Sequence, residues 1–220
     1  MSPFFYPMII TSFTCGPFAE NTFLLEKDGK ALLVDPGFSA AHEWNEARQS
    51  LIEYDLELIG ILLTHGHLDH IMGVDRVLSV YKVPVHRHPE SQATIDRYPE
   101  SSAMFGMPQP PVAFQGIDLL PSSDFRLGPF SMQARFTPGH APGHLSFYFP
   151  NEGLVLSGDA LFKESIGRTD LPGGDYAQLQ DSIQTQLLTL PDETVVYSGH
   201  GPKTTIAHER KFNPFLQASR

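Results

Sequence analysis

Seven side chains in four short segments have the types and spacing to bind metal ions. They are His65, His67, Asp69 and His70 in Thr64-His-Gly-His-Leu-Asp-His70, His140 in Thr137-Pro-Gly-His140, Asp159 in Ser157-Gly-Asp159, and His200 in Ser198-Gly-His-Gly201. Imidazole and carboxylate suit zinc, iron or manganese. The chain has ten histidines, yet His-x-His-x-Asp-His within six positions is far tighter than chance clustering would give. His65, His67 and His140 can make a facial nitrogen set at ~2.0–2.1 Å from one ion, leaving positions open as a catalytic site requires. Asp69, His70 and His200 can make a second set. Asp159 is then the bridging carboxylate, holding two cations ~3.5–4 Å apart around a shared hydroxide. Two divalent ions, two carboxylates and one hydroxide leave the pocket near a charge of about +1, which attracts a carbonyl oxygen or an anionic tetrahedral intermediate. The hydroxide, its pKa lowered toward ~7, would attack an acyl carbon while one ion polarises the carbonyl. Asp69 is expected to orient the hydroxide as well as bind metal. Zinc is the expected ion, with iron and manganese as alternatives.

These groups need elements that bring them together. Leu58–Leu63 is a short apolar run that reads as a buried strand leading into the first segment. Runs at Phe130–Phe136, Leu154–Leu156 and Thr194–Tyr197 lead into the other three. Thr22–Glu26 and Ala31–Val34 read as strands joined at Asp28-Gly29. Residues 39–53 read as a helix capped by Ser39, with Trp44, Ala47, Leu51 and Tyr54 on one face. Ile71–Tyr81 reads as the next helix, with Val74, Val77 and Leu78 inward, and Val83–Val85 as a short strand. A last βα unit is expected between Asp175 and His200. Two βα units, antiparallel strands and this final unit give an α/β chain folded as an αββα sandwich, one domain over residues 1–220. Residues 98–114 are rich in turn formers around Met104, Phe105 and Met107, and read either as a lid over the site or as a packed loop.

Composition fits a compact domain and excludes several classes. Of the 220 residues, 41% are hydrophobic and 18% charged, which excludes a disordered chain. The absence of a run of about 18 apolar residues predicts no membrane span. The N-terminal stretch Met1–Ile10 lacks a basic region and is broken by prolines, so it reads as a first strand. A net charge of −10 argues against a nucleic-acid partner, and His208–Lys211 reads as a solvated helix face. The single cysteine, Cys15, reads as a packed thiol in a reducing cytoplasm. Oligomeric state has no signal.

The motifs resemble the metallo-β-lactamase fold superfamily and, within it, the short glyoxalase II-like (hydroxyacylglutathione hydrolase-like) proteins of bacteria. The resemblance runs from about Asn21 to the C-terminus. It includes Pro17–Phe23, Val34-Asp-Pro-Gly37, Thr137–His144, Ser157–Phe162, Ile166-Gly-Arg-Thr-Asp170, Leu171-Pro-Gly-Gly-Asp175 and Asn213-Pro214. It implies a binuclear metal-dependent hydrolase acting on a small thioester such as S-lactoylglutathione. A mononuclear iron persulfide dioxygenase and a lactone hydrolase on the same fold are the alternatives. Asp35 and His144 become candidates to orient the ligands, His144 equally reading as a hydrogen-bonded turn residue. Arg168 falls where two-domain glyoxalase II enzymes carry a lysine that meets glutathione. It would hold a substrate carboxylate or, alternatively, pair with Asp170. Those enzymes hold glutathione largely through a C-terminal helical domain; about 20 residues follow His200, so that domain is not expected.

Overall fold

The computed structural model describes residues 7–107 and 114–217. Its strands are β1 (Ile9–Cys15), β2 (Glu20–Lys27), β3 (Lys30–Val34), β4 (Glu57–Leu62), β5 (Val85–Arg87), β6 (Gly116–Asp118), β7 (Ser122–Leu127), β8 (Phe130–Phe136), β9 (Leu145–Phe149), β10 (Leu154–Gly158), β11 (Leu161–Phe162), β12 (Ser165–Ile166), β13 (Val195–Ser198) and β14 (Thr204–Thr205). Its helices are α1 (Ala41–Glu53), α2 (Leu68–Ile71), α3 (Val74–Val80), α4 (Gln92–Asp96), α5 (Tyr98–Met104), α6 (Tyr176–Ser182), α7 (Ile206–Phe212) and α8 (Pro214–Gln217). Strands β1 to β6 lie in sequence order in one sheet, and the second runs β14-β13-β10-β9-β8-β7. Both are mixed. β1, β2 and β3 pair antiparallel and β3 to β6 parallel, while β10 and β13 form the parallel pair of the second sheet.

Period-two alternation explains the layering. Along β2 and β3, Phe23, Leu25, Leu32 and Val34 point between the sheets, where they meet Phe130, Phe147 and Phe149. Their neighbours Leu24, Ala31 and Leu33 point outward against Trp44, Ala47 and Leu51 of α1 and Val74 and Val77 of α3. On the far side, Val155 and Val196 pack against Leu179, Ile183 and Ile206. Both faces of each central strand are therefore buried, and these strands carry few polar residues. Burying each large aliphatic or aromatic side chain stabilises the fold by about 1.5–3 kcal/mol. The αββα sandwich expected from the sequence is the observed architecture.

Several boundaries differ from expectation. The helix expected at Ile71–Tyr81 is broken between α2 and α3, because Gly73 lies against residues 36–38. Its N–H donates to the Pro36 carbonyl at 2.7 Å, and a Cβ there would come within 2.7 Å of the same oxygen. The strand expected at Val83–Val85 instead begins at Val85, since Pro84 has no N–H to give and offers only its carbonyl to Ile61. Ser39 does not cap α1. The helix starts after Ala40, and Glu43 reaches back to accept from the Ala40 and Gly16 N–H groups and the Ser39 hydroxyl. Tyr54, expected on the inner face, closes the helix with its ring exposed. The first strand begins at Ile9, residues 1–6 lying outside those described. Within the irregular stretch, Tyr98–Met104 is helical, with Pro99 in its first turn where a missing N–H costs nothing; residues 108–113 lie outside those described. His208–Lys211 is on a helix, but Glu209 is fully buried and accepts from Thr204, the Glu164 N–H and Asn213.

Candidate metal centre

The seven residues converge at one edge of the sandwich. His65 and His67 lie in the loop after β4, Asp69 and His70 on α2, His140 between β8 and β9, Asp159 after β10 and His200 after β13. Potential ligand atoms of His65, His67 and His140 lie within 4.8 Å of one another, as do those of Asp69, His70 and His200. In each set two residues come from the first half of the chain and one from the second. Asp159 reaches both: Oδ2 lies 3.5 Å from His140 Nε2 and 3.5 Å from His200 Nε2, and Oδ1 lies 3.4 Å from His70 Nε2. Asp69 Oδ2 approaches His200 Nε2 at 3.2 Å.

The histidines are aimed from behind. His140 Nδ1 donates to the Arg168 carbonyl at 2.8 Å, and His200 Nδ1 to the Phe18 carbonyl at 3.1 Å. His70 Nδ1 meets Asp35 Oδ2 at 3.0 Å, and His65 Nδ1 lies 2.9 Å from the Thr64 hydroxyl. Each arrangement turns Nε2 inward and selects the tautomer with a free lone pair there. His67 instead presents Nδ1, 2.8 Å from His140 Nε2. Asp35 sits at φ +49°, a left-handed conformation that a non-glycine residue adopts only when its surroundings hold it. Its Oδ1 accepts from the Thr64 N–H at 2.7 Å and its Oδ2 from the Thr64 hydroxyl at 2.6 Å. With His70 also on Oδ2, three of its acceptor sites are taken by Thr64 and His70, so Asp35 serves to position ligands, although its oxygens also form a third close group with His65 and His70. His144 likewise contacts the site through others. Its Nδ1 meets Thr137 at 2.8 Å, and its Nε2 accepts the Asp159 N–H at 3.0 Å, orienting the carboxylate-bearing turn. Gly199 has to be glycine, because a Cβ would lie 2.2 Å from Asp159 Oδ1.

The donor set fits metal ions by an independent observation. His65 Nε2, His70 Nε2 and Asp159 Oδ1 are buried and have no hydrogen-bond partner. Folded proteins almost always bond such atoms, and cations held by the two sets would account for them. Protonation states agree. Burial pushes His65 far below its usual range, His140 below it, and His67 down to about 3, so these imidazoles are neutral as ligands must be. Burial opposes charge on His70 and His200 as well, yet Asp159 and Asp69 raise both. The neighbouring imidazoles in turn hold both carboxylates below their ordinary range in spite of burial.

The metallo-beta-lactamase superfamily model matches residues 15–200. The chain belongs to the metallo-beta-lactamase superfamily. A probable metallo-hydrolase of Bacillus subtilis, YqgX, is 41% identical over 91% of this chain and 94% of its own length. The hydroxyacylglutathione hydrolase GloC of Haemophilus influenzae is 36% identical over 91% of this chain and 94% of its own. Among solved structures, the B3 metallo-beta-lactamase BLEG-1 superposes with a TM-score of 0.84 at 38% identity, over 94% of this chain and 99% of that one. TTHA1623 in a di-iron-bound form gives 0.82 at 37%, over 94% and 100%. In this superfamily member the His/Asp groups are candidate metal ligands of a metallo-hydrolase fold, and the metal type is open between the ions that such donors accept.

A cavity of about 490 Å³ opens above the centre, with His67, Asp69, His140, Asp159 and His200 in its floor. Arg168 stands at its rim and makes two 2.7 Å bonds to Asp170. Sequence reasoning missed one buried acid beneath the second set. Glu20 is fully buried with Oε1 4.0 Å from His70 Nδ1, and burial raises its pKa well above the carboxylate range. A lone Glu in Phe-Ala-Glu-Asn-Thr carries no spacing signal that would have marked it. Thr64 and Thr137 were also missed, though each precedes a histidine by one to three positions.

Proposed function

We propose that this protein is a binuclear metal-dependent hydrolase that cleaves a small hydroxyacyl thioester, of which S-lactoylglutathione is one example. The observation that carries the reading is Asp159, whose two oxygens address ligands of both sets. A carboxylate placed between three nitrogens and a mixed nitrogen–oxygen set fits a pair of cations rather than one. His65, His67 and His140 would hold the first ion and Asp69, His70 and His200 the second. Bound there, two cations lower the pKa of water and polarise an acyl carbonyl. The chain's own residues do the rest. Asp35, Thr64, His144 and the Arg168 and Phe18 carbonyls fix the ligands before substrate arrives, so little reorganisation is needed during reaction. Asp69, on the pocket floor beside His200, orients the attacking water. Arg168 turns from Asp170 to a substrate carboxylate at the rim. The relative GloC, named a hydroxyacylglutathione hydrolase, supports the thioester. Cys15, a buried thiol without a disulfide, fits a reducing cytoplasm.

Metal content per chain and S-lactoylglutathione hydrolysis, measured on one preparation, test this reading. Two ions with turnover are expected. One iron, no thioester cleavage and oxygen uptake with glutathione persulfide would replace it with the dioxygenase. Turnover of lactones alone would move the activity to that ester class.

A further inference from the structure

The cavity over the centre has walls unlike its floor. They include Phe18, Leu68, Met104, Phe105, Phe162 and Leu171. Phe18 and Phe105 meet edge to face at 4.9 Å, and Phe105 and Met104 remain 53% and 78% exposed. Among the described residues, the end of helix α5 therefore presents a half-exposed ring and a thioether to the cavity. Such surface is left uncovered at little benefit to folding, and both side chains adapt readily to an apolar guest.

Charge gives little purchase in comparison. Among the described residues lining the cavity, the cations are Arg97 and Arg168. Arg97 pairs with Glu100 at 3.2 Å, and Arg168 is held by both oxygens of Asp170. A carboxylate on the substrate would have to displace an acid already in place, and the chain as a whole carries −10. Electrostatic discrimination at this rim is small.

We infer, resting on the thioester reading above, that the preferred substrate carries an aromatic or branched apolar group beside the reacting carbonyl, which the Phe18–Phe105–Met104 wall covers. Selectivity then comes from apolar burial and not from the charged ends of glutathione. Each additional buried methylene is worth roughly fourfold in binding, so a phenyl group in place of hydrogen should exceed tenfold.

The test compares kcat/KM of the metal-loaded enzyme for S-lactoyl-N-acetylcysteamine, its 2-hydroxy-3-phenylpropanoyl counterpart and the S-lactoyl ester of benzyl thiol. The second places the ring on the acyl side, the third on the thiol side. At least one should exceed the lactoyl reference tenfold, and Phe105→Ala and Met104→Ala should each reduce that ratio at least threefold. Binding of the non-hydrolysable thioether S-benzyl-N-acetylcysteamine, followed by calorimetry, should be at least tenfold tighter than that of the S-methyl analogue. Hydrolysis of all three esters at equal rates, with equal thioether binding, would overturn the apolar preference and leave the hydrolase reading standing. Tight S-benzyl binding with no hydrolysis of any ester, S-lactoylglutathione included, would sustain the pocket and remove the thioester reaction.

Discussion

His65, His67 and His140 form an all-nitrogen recess, with His65 fully buried and His140 nearly so, whereas Asp69, His70 and His200 mix oxygen with nitrogen and open to solvent at one end. The His200 side chain is 26% exposed and that of Asp69 18%, against 0% for His65 and 3% for His140. Burial, helped by the neighbouring imidazoles, keeps the first set neutral. The second set balances carboxylates against imidazoles, so its charge is settled among its own members and with Asp159. With ions bound, the set that includes the partly exposed His200 would exchange its ion more readily than the set anchored on fully buried His65.

The strongest way to break this comparison is to remove the residue that both sets share. Asp159→Ala should reduce metal content from two ions to one or none and lower kcat by at least about 10³-fold, read by elemental analysis and steady-state turnover. Retention of two ions would show that the sets are independent. Asp35→Asn comes next. It keeps the shape but weakens the acceptor behind His70, so affinity for the second ion should fall by about 10–100-fold with the first largely retained, measured by competition with a chromophoric chelator. Equal loss at both sites would mean that Asp35 acts on His65 through Thr64 as strongly as on His70. Timed exposure of the loaded protein to a chelator sharpens the same point. A one-ion species should accumulate before the metal-free one, and simultaneous loss of both would cancel the difference in depth. The smallest effect belongs to the rim. Arg168→Ala should raise KM about two- to threefold for a thioester bearing a carboxylate and leave a neutral one nearly unchanged; equal changes would show that Arg168 does not meet the substrate.

The candidate ligands were legible because metal chemistry demands particular residue types, and a tight loop demands close spacing. The sandwich was legible because strands covered on both faces lose their polar positions, as Phe23–Leu25 and Ala31–Val34 do. What escaped notice depends on contacts between distant segments. No helical period reveals that Gly73 will touch the Pro36 carbonyl, or that Glu43 and not Ser39 will satisfy the start of α1. Glu209 looked solvated within a charged run, yet a loop from Glu164 and the side chain of Asn213 close over it. Tyr98–Met104 was hidden by its proline, which belongs to a first turn as readily as to a loop.

The two-plus-one origin of each candidate ligand set would make bound ions long-range cross-links. One would tie the chain at His65 and His67 to His140, the other at Asp69 and His70 to His200, closing loops much larger than any local contact. Such closure removes conformational freedom from the unfolded chain, and the cost falls on the unfolded state only while the ions stay bound. Metal supply therefore enters the folding equilibrium itself. The melting temperature should climb with free metal concentration, and loss of the ions should loosen the seam between the two sheets before either core gives way.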